Sequence, residues 1–349
     1  MGDNHCGQTS VYQKRGEGPV RVRLSKLFAS AYFRWGVGGG ISILALYLAL
    51  RGVAYDDVMG VFTRANTRFV FFTFLSVIAN TLGKSLRWKV LIGPSDARIS
   101  QGKLLTSLLA GQMLNLFPGR VGDLSRAYVV GGMGPGRTFV LGTVVLEKLV
   151  DVISYALLFF ALLFLMPLPE WIGSSAYTFS GIAVFLGVIL IAVTYHHQSL
   201  ASISTRFGRW LPARLRQQVV PRIVAGLSSL GVLHNGSDVL KLVLWNGVVW
   251  GTAILNNHLA LLALGIRLPL TASLLILIAV QAGISSSSVP GTIGVFEYLC
   301  VLALSVFGIG RTLAFGYGVL LHVIVLSPPI IGGLVSLWVL NLNVGKTGK

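Results

Sequence analysis

Two segments about 170 residues apart interrupt apolar helical patterns in the same way. The first reads Asn115-Leu116-Phe117-Pro118-Gly119-Arg120-Val121-Gly122-Asp123-Leu124-Ser125-Arg126. The second reads Ser287-Ser288-Val289-Pro290-Gly291-Thr292-Ile293-Gly294-Val295-Phe296-Glu297. Each follows an apolar stretch too short to cross a bilayer comfortably, breaks at Pro-Gly, and is followed by an arginine (Arg137, Arg311) and a long apolar helix. Broken, Gly/Pro-interrupted segments at corresponding places in two halves of a membrane protein point to a transport site near the midplane. The backbone of such a break must be buried in protein or line a wet cavity, because lipid offers it no hydrogen bonds.

The composition places the chain in a membrane. Apolar residues make up 54% of it and charged residues 11%, with a mean hydropathy of +0.77, whereas soluble domains carry about 25% charged residues. The net charge of +17 does not indicate a nucleic-acid partner, because the basic residues lie in patches between the apolar runs. These patches are Lys14 to Arg34, then Lys84, Arg87, Lys89, Arg98 and Lys103, then Arg206, Arg209, Arg214, Arg216 and Arg222. They mark the cytoplasmic side by the positive-inside rule. Cys6 and Cys300 are too few for a disulfide framework. Residues 1–30 have no signal-peptide pattern and read as a basic cytoplasmic arm.

The fold class expected is an all-α polytopic membrane protein. It has about six transmembrane helices plus two re-entrant broken hairpins in an inverted repeat; eight full spans is the competing count. A single membrane domain covers 31–341, with repeat one at about 68–166, repeat two at about 239–341, a basic cytoplasmic loop at about 196–238 and a cytoplasmic tail at 342–349. Full spans are expected near 31–50, 68–92, 138–166, 177–195, 239–264 and 313–340, and half-helices near 104–117, 272–284 and 295–307. The segment 58–66 is expected at the interface, an amphipathic surface helix near 217–233, and a kink at Pro328-Pro329.

Ionisable groups at membrane depth are costly and mark candidate functional positions. Around the first break, Arg120 and Arg126 have the geometry to cradle a phosphate, Asn115 stands at its entry, and Asp123 lies one helical turn from Arg126. Glu147 and Asp151 share a helix face, with Lys148 beside them. They serve either as partners of the arginines, as a cation or proton site, or as an inter-helix lock. Glu297 follows the second break and balances either Arg311 or a first-repeat arginine. His322 is either a packing residue or a proton relay. Lys84, Arg87 and Lys89 either snorkel to the interface or line the inner mouth. No nucleotide-binding, metal-ligating, redox or Ser-His-Asp pattern is present, so no cofactor and no enzymatic activity is expected.

Three of these motifs in order, Pro118 to Arg126, Glu147 to Asp151 and Pro290 to Glu297, resemble the lysylphosphatidylglycerol synthase membrane-region family, also described as flippase-like membrane proteins. The resemblance covers about 30–340. It implies a prokaryotic inner-membrane protein that moves a phospholipid or lipid-linked glycan between leaflets. Asp123 stands where the family more often has Glu, and Lys148 where it more often has Arg. The chain ends after its last span, without the soluble aminoacyl-transferring domain of full-length synthases, so synthesis of aminoacylated lipid is not expected. The leading expectation is a lipid flippase with both termini cytoplasmic. Its rivals are a membrane enzyme acting on a polyprenyl-linked sugar, with Asp123 or Asp57 as base, and a non-transporting partner of a lipid-modifying or glycosyl-transferring enzyme. A homo-oligomer is compatible with the glycine-rich first span.

Overall fold

The computed structural model describes residues 24–53, 55–93, 99–117, 121–166, 213–286 and 289–344, with a few positions between 181 and 188. Most of the arm and of the tail, Pro118 to Arg120, and nearly all of the span expected at 177–195 lie outside the described residues. Among the described residues every regular element is helical.

The first half runs α1 (Leu24–Leu50), α2 (Tyr55–Thr63), α3 (Thr67–Ile92), α4 (Gln101–Leu114), α5 (Val121–Gly131) and α6 (Arg137–Leu165). The second half runs α7 (Ala213–Ser228) with a short 3-10 turn, α8 (Gly236–Ala263), α9 (Leu270–Ser286), α10 (Val295–Ser305) and α11 (Arg311–Val344). Helices α3, α6, α8 and α11 contain four stretches long and apolar enough to span a bilayer. The 14 residues of α4 and the 11 each of α5 and α10, at about 1.5 Å per residue, fall short of a ~30 Å hydrocarbon core.

Burial is inverted relative to a soluble protein. Phe164, Ile43 and Trp338 are 75%, 72% and 68% exposed, while Arg87, Arg126 and Glu147 are buried. A soluble monomer rarely shows so much contiguous apolar surface; helices whose outer faces meet lipid do so of necessity. The chain is therefore a multi-pass membrane protein.

Local signals account for the helix boundaries. Asn66 caps α3 by accepting from the Arg68 N–H, Ser100 caps α4 by accepting from the Lys103 N–H, and Asn235 caps α8 by accepting from the Ser237 N–H. At α10 the Glu297 carboxylate reaches back to the Gly294 N–H at 2.7 Å.

Helices α3 and α8 pack antiparallel along their length. The Asn66 N–H meets the Ala263 carbonyl at one end. Asn80 donates to the Val249 carbonyl and to Thr252 near the middle, and Arg87 reaches Asn246 further on. Around this pair, α4 packs on α5, α5 on α6 and α4 on α11; α9 packs on α10, α10 on α11 and α9 on α6. The tips of the two breaks touch, the Gly291 N–H donating to the Leu116 carbonyl at 2.7 Å.

The glycine-rich stretch after Pro118 is helical from Val121 to Gly131. Its glycines serve close packing: a Cβ on Gly122 would collide with the Gly111 carbonyl of α4, and one on Gly131 with the backbone of Arg137. Helix α11 continues through Pro328 and Pro329, where the kink was expected. Pro328 lacks the N–H that would bond the Ile324 carbonyl, and the Ser327 hydroxyl donates to that carbonyl instead, at 2.7 Å.

Candidate functional site

The close approach of Gly111 and Gly122 draws α4 and α5 together and carries Arg126 inward from α5. Its guanidinium lies 2.9 Å from Glu147 of α6, 3.1 Å from Asp123 of its own helix and 4.8 Å over the Trp88 ring of α3. Trp88 is itself fixed by its indole N–H, which donates to Thr143. From α3, Arg87 donates to Asp151 at 2.6 Å and to Asn246 of α8 at 2.7 Å, and stands 3.6 Å from Glu147. Asn246 in turn donates to Ser154. Lys148 closes the chain, 3.7 Å from Asp123.

These groups line a cavity of ≈ 190 Å³ bounded by α3, α4, α5, α6, α8 and α9. Its walls combine the charged set with Asn80, Gln112, Asn115, Trp250 and Gln281. Four cations, Lys84, Arg87, Arg126 and Lys148, face three carboxylates, Asp123, Glu147 and Asp151. Lys84 is the surplus charge: no described group lies within hydrogen-bond or ion-pair distance of it. The Nε groups of Arg87 and Arg126 and the Gln112 carbonyl oxygen are buried without partners among the described residues. A buried donor left unpaired costs roughly 1–3 kcal/mol, so the cavity is suited to a ligand that brings hydrogen-bond acceptors and negative charge.

Of the candidate residues, Asn115, Asp123, Arg126, Glu147, Lys148 and Asp151 meet at this cavity. Asn115 also accepts from the Asp123 N–H, capping the start of α5. Arg120 lies outside the described residues. The other three stand elsewhere. Among the described residues Glu297 pairs with neither Arg311 nor a first-repeat arginine; its partner is His322, Nδ1 to Oε1 at 2.6 Å. Arg311 donates instead to the Arg51 carbonyl beyond the end of α1. Sequence reasoning left Arg87 and Lys84 between the interface and the inner mouth, whereas both line the cavity and Arg87 is 1% exposed. Asn80 and Asn246 were missed. A signal existed: Ser76, Asn80, Lys84 and Arg87 fall at four-, four- and three-residue steps, a polar stripe on one face of an otherwise apolar helix. Among the described residues no cluster of His, Cys, Asp and Glu suits a metal ion.

With this geometry in place, comparison with known proteins is informative. The family model described as "Lysylphosphatidylglycerol synthase TM region" matches residues 35–333. A UPF0104 membrane protein of Pyrococcus horikoshii is similar, 22% identical over 319 residues that cover 85% of this chain and 94% of that protein. No solved structure matches the chain.

Proposed function

The chain belongs to the lysylphosphatidylglycerol synthase TM-region family, and on that premise we propose that it is a transporter that moves the anionic headgroup of a phospholipid or lipid-linked glycan between leaflets. The observation that carries this reading is the cavity between the long apolar helices, with its three carboxylates and four cations, one of them the unpaired Lys84. A headgroup phosphate would take Lys84 as its counter-ion and the free Nε donors of Arg87 and Arg126 as hydrogen-bond partners. Arg120, beside the first break, would complete the cradle. The carboxylates hold the arginines in place when no phosphate is bound, and the acyl chains stay in lipid.

The two halves form an inverted repeat in this reading. Matching α3 with α8, α4 with α9, α5 with α10 and α6 with α11 carries most of the principal helix pairings onto one another, including the exchange of α4 on α11 for α9 on α6. Breaks that meet tip to tip between such halves are suited to exposing the cavity to one leaflet and then the other. The basic patches support a cytoplasmic position for both termini, and the family resemblance implies a prokaryotic inner membrane.

The test is leaflet-resolved movement of fluorescent anionic, zwitterionic and aminoacylated phospholipids in proteoliposomes. Wild-type protein moves at least one anionic class. Lys84→Met, which keeps the chain's reach and removes the charge, slows it about ten- to hundredfold, as the loss of a charge-assisted bond implies. Movement at the wild-type rate by correctly inserted Lys84→Met protein would refute the cradle, and no movement of any lipid by wild-type protein would refute the transporter.

A further inference from the structure

The second break holds a pair of buried titratable groups that the headgroup cavity does not use. Glu297 and His322 are 6% and 5% exposed. Gly318, one turn before His322, lies so close to α10 that a Cβ there would stand 3.1 Å from the Glu297 Cα. That close approach brings carboxylate and imidazole together at 2.6 Å, and Phe296 stacks on the ring with centroids 4.3 Å apart. The other carboxylate oxygen accepts from the Gly294 N–H. The other ring nitrogen, Nε2, lies 3.0 Å from the Gly291 carbonyl and 3.4 Å from the Thr292 hydroxyl.

Counting protons shows what the arrangement requires. A carbonyl oxygen only accepts, so Nε2 must carry a hydrogen. Thr292 cannot supply it, because its hydroxyl already donates to the same carbonyl at 2.7 Å. The short Nδ1 to Oε1 contact needs a second proton between its atoms. A neutral imidazole beside a carboxylate holds one proton; this arrangement holds two. With the second proton on either atom the pair is neutral overall, and without it a carboxylate is left buried and uncompensated, which is strongly unfavourable.

No other described ionisable group takes over that charge. Helix α9 has none. On α10, Tyr298 has no ion pair and Cys300 is a buried thiol. On α11, Tyr317 donates to Asn257 and Arg311 is committed to the Arg51 carbonyl. On α1, Tyr47 is 60% exposed; on α2, Asp57 is exposed, and on α4, Lys103 is exposed near the opposite end. The charges of α3 line the headgroup cavity or lie exposed, and those of α8 are Asp238 with Lys241 near its start and His258 with Ser273.

We propose that Glu297 and His322 form a proton-binding site that clamps the second break. With the proton bound, Nε2–H holds the Gly291 carbonyl, and the N–H of the same residue holds the first break at Leu116. Release of the proton leaves either Nε2 or Nδ1 without its hydrogen, so one of the two contacts is lost and the clamp loosens. The site stands on the geometry of the break alone. Only its use in driving movement of a headgroup rests on the transporter reading.

The experiment is solid-state nitrogen-15 NMR of histidine-labelled full-length protein in liposomes without added lipid substrate, between about pH 5 and about pH 10. Comparison with His322→Gln assigns the ring. The pair is expected to lose a proton within this range, with Nε2 protonated at the acid end. Glu297→Gln keeps the helix cap, since glutamine also serves there. It is expected to shift or abolish the loss of the proton seen in the wild type. A ring with unprotonated Nε2 throughout, or a titration that Glu297→Gln leaves in place, would overturn the site. Amide exchange at Gly291, corrected for its intrinsic pH dependence, is expected to rise at least about tenfold as the wild type loses its proton and to stay flat in Glu297→Gln. Unchanged wild-type exchange would overturn the clamp. Because no lipid movement is read, failure here is distinct from failure of the transporter.

Discussion

Arg126 and Glu147 show how charges survive in the interior of this bundle. Each is buried, and each has a second partner: Arg126 has Asp123, and Glu147 has Arg87. Removing one member of such a set leaves a buried charge uncompensated, at a cost of about 3–5 kcal/mol. Arg126→Met is therefore expected to lower the midpoint of thermal or denaturant unfolding in detergent sharply. Arg126→Met combined with Glu147→Met should regain at least half of the loss, and equal stability of single and double variants would show that the pair is not the lock. Lys84 differs, because it gives up no partner. Lys84→Met should match or exceed wild-type stability while losing lipid movement, a split that separates a ligand-binding cation from a structural one. The first break carries arginine charges, whereas the second carries a Glu–His pair.

Elements owe their positions to small residues and to rescued backbone groups. The α4–α5 hairpin closes because neither Gly111 nor Gly122 has a side chain. Gly122→Ala is expected to push α5 off α4, withdraw Arg126 from the cavity and lower the yield of folded protein in detergent gel filtration; a normal yield with intact lipid movement would contradict this. In α11, Ser327→Ala strands the Ile324 carbonyl at the proline pair. It should cost about 1 kcal/mol in unfolding. The α6 face opposite the cavity packs against α7, the basic amphipathic helix expected from sequence near 217–233 and found at Ala213–Ser228.

For the whole molecule, orientation is the property to measure. Asp57 and Arg222 are both exposed, and the charge pattern puts them on opposite sides of the membrane. In a Cys6→Ser background, with Cys300 buried, an impermeant thiol reagent applied to intact cells should label Asp57→Cys and not Arg222→Cys. Inverted membrane vesicles should give the reverse, and labelling of both from one side would refute the assigned topology.

Much of this molecule was legible before its structure. Apolar runs placed α3, α6, α8 and α11 to within a few residues, because a bilayer-spanning helix is a local property of about 20 consecutive side chains. The breaks were equally legible, since Pro-Gly acts on its own backbone. Asp123, Arg126, Glu147, Lys148 and Asp151 were picked out simply as charges where charge is costly. Asp123 and Arg126 pair locally, one helical turn apart, and the other pairings of those charges were decided by tertiary structure. Arg87 meets Asp151, Glu147 and Asn246 because α3 packs between α6 and α8. Glu297 meets His322 rather than an arginine because Gly318 lets α11 approach α10. Hydropathy records how deep a side chain lies along the membrane normal. It carries no information on how each helix is rotated about its axis, and that rotation determines which charges meet.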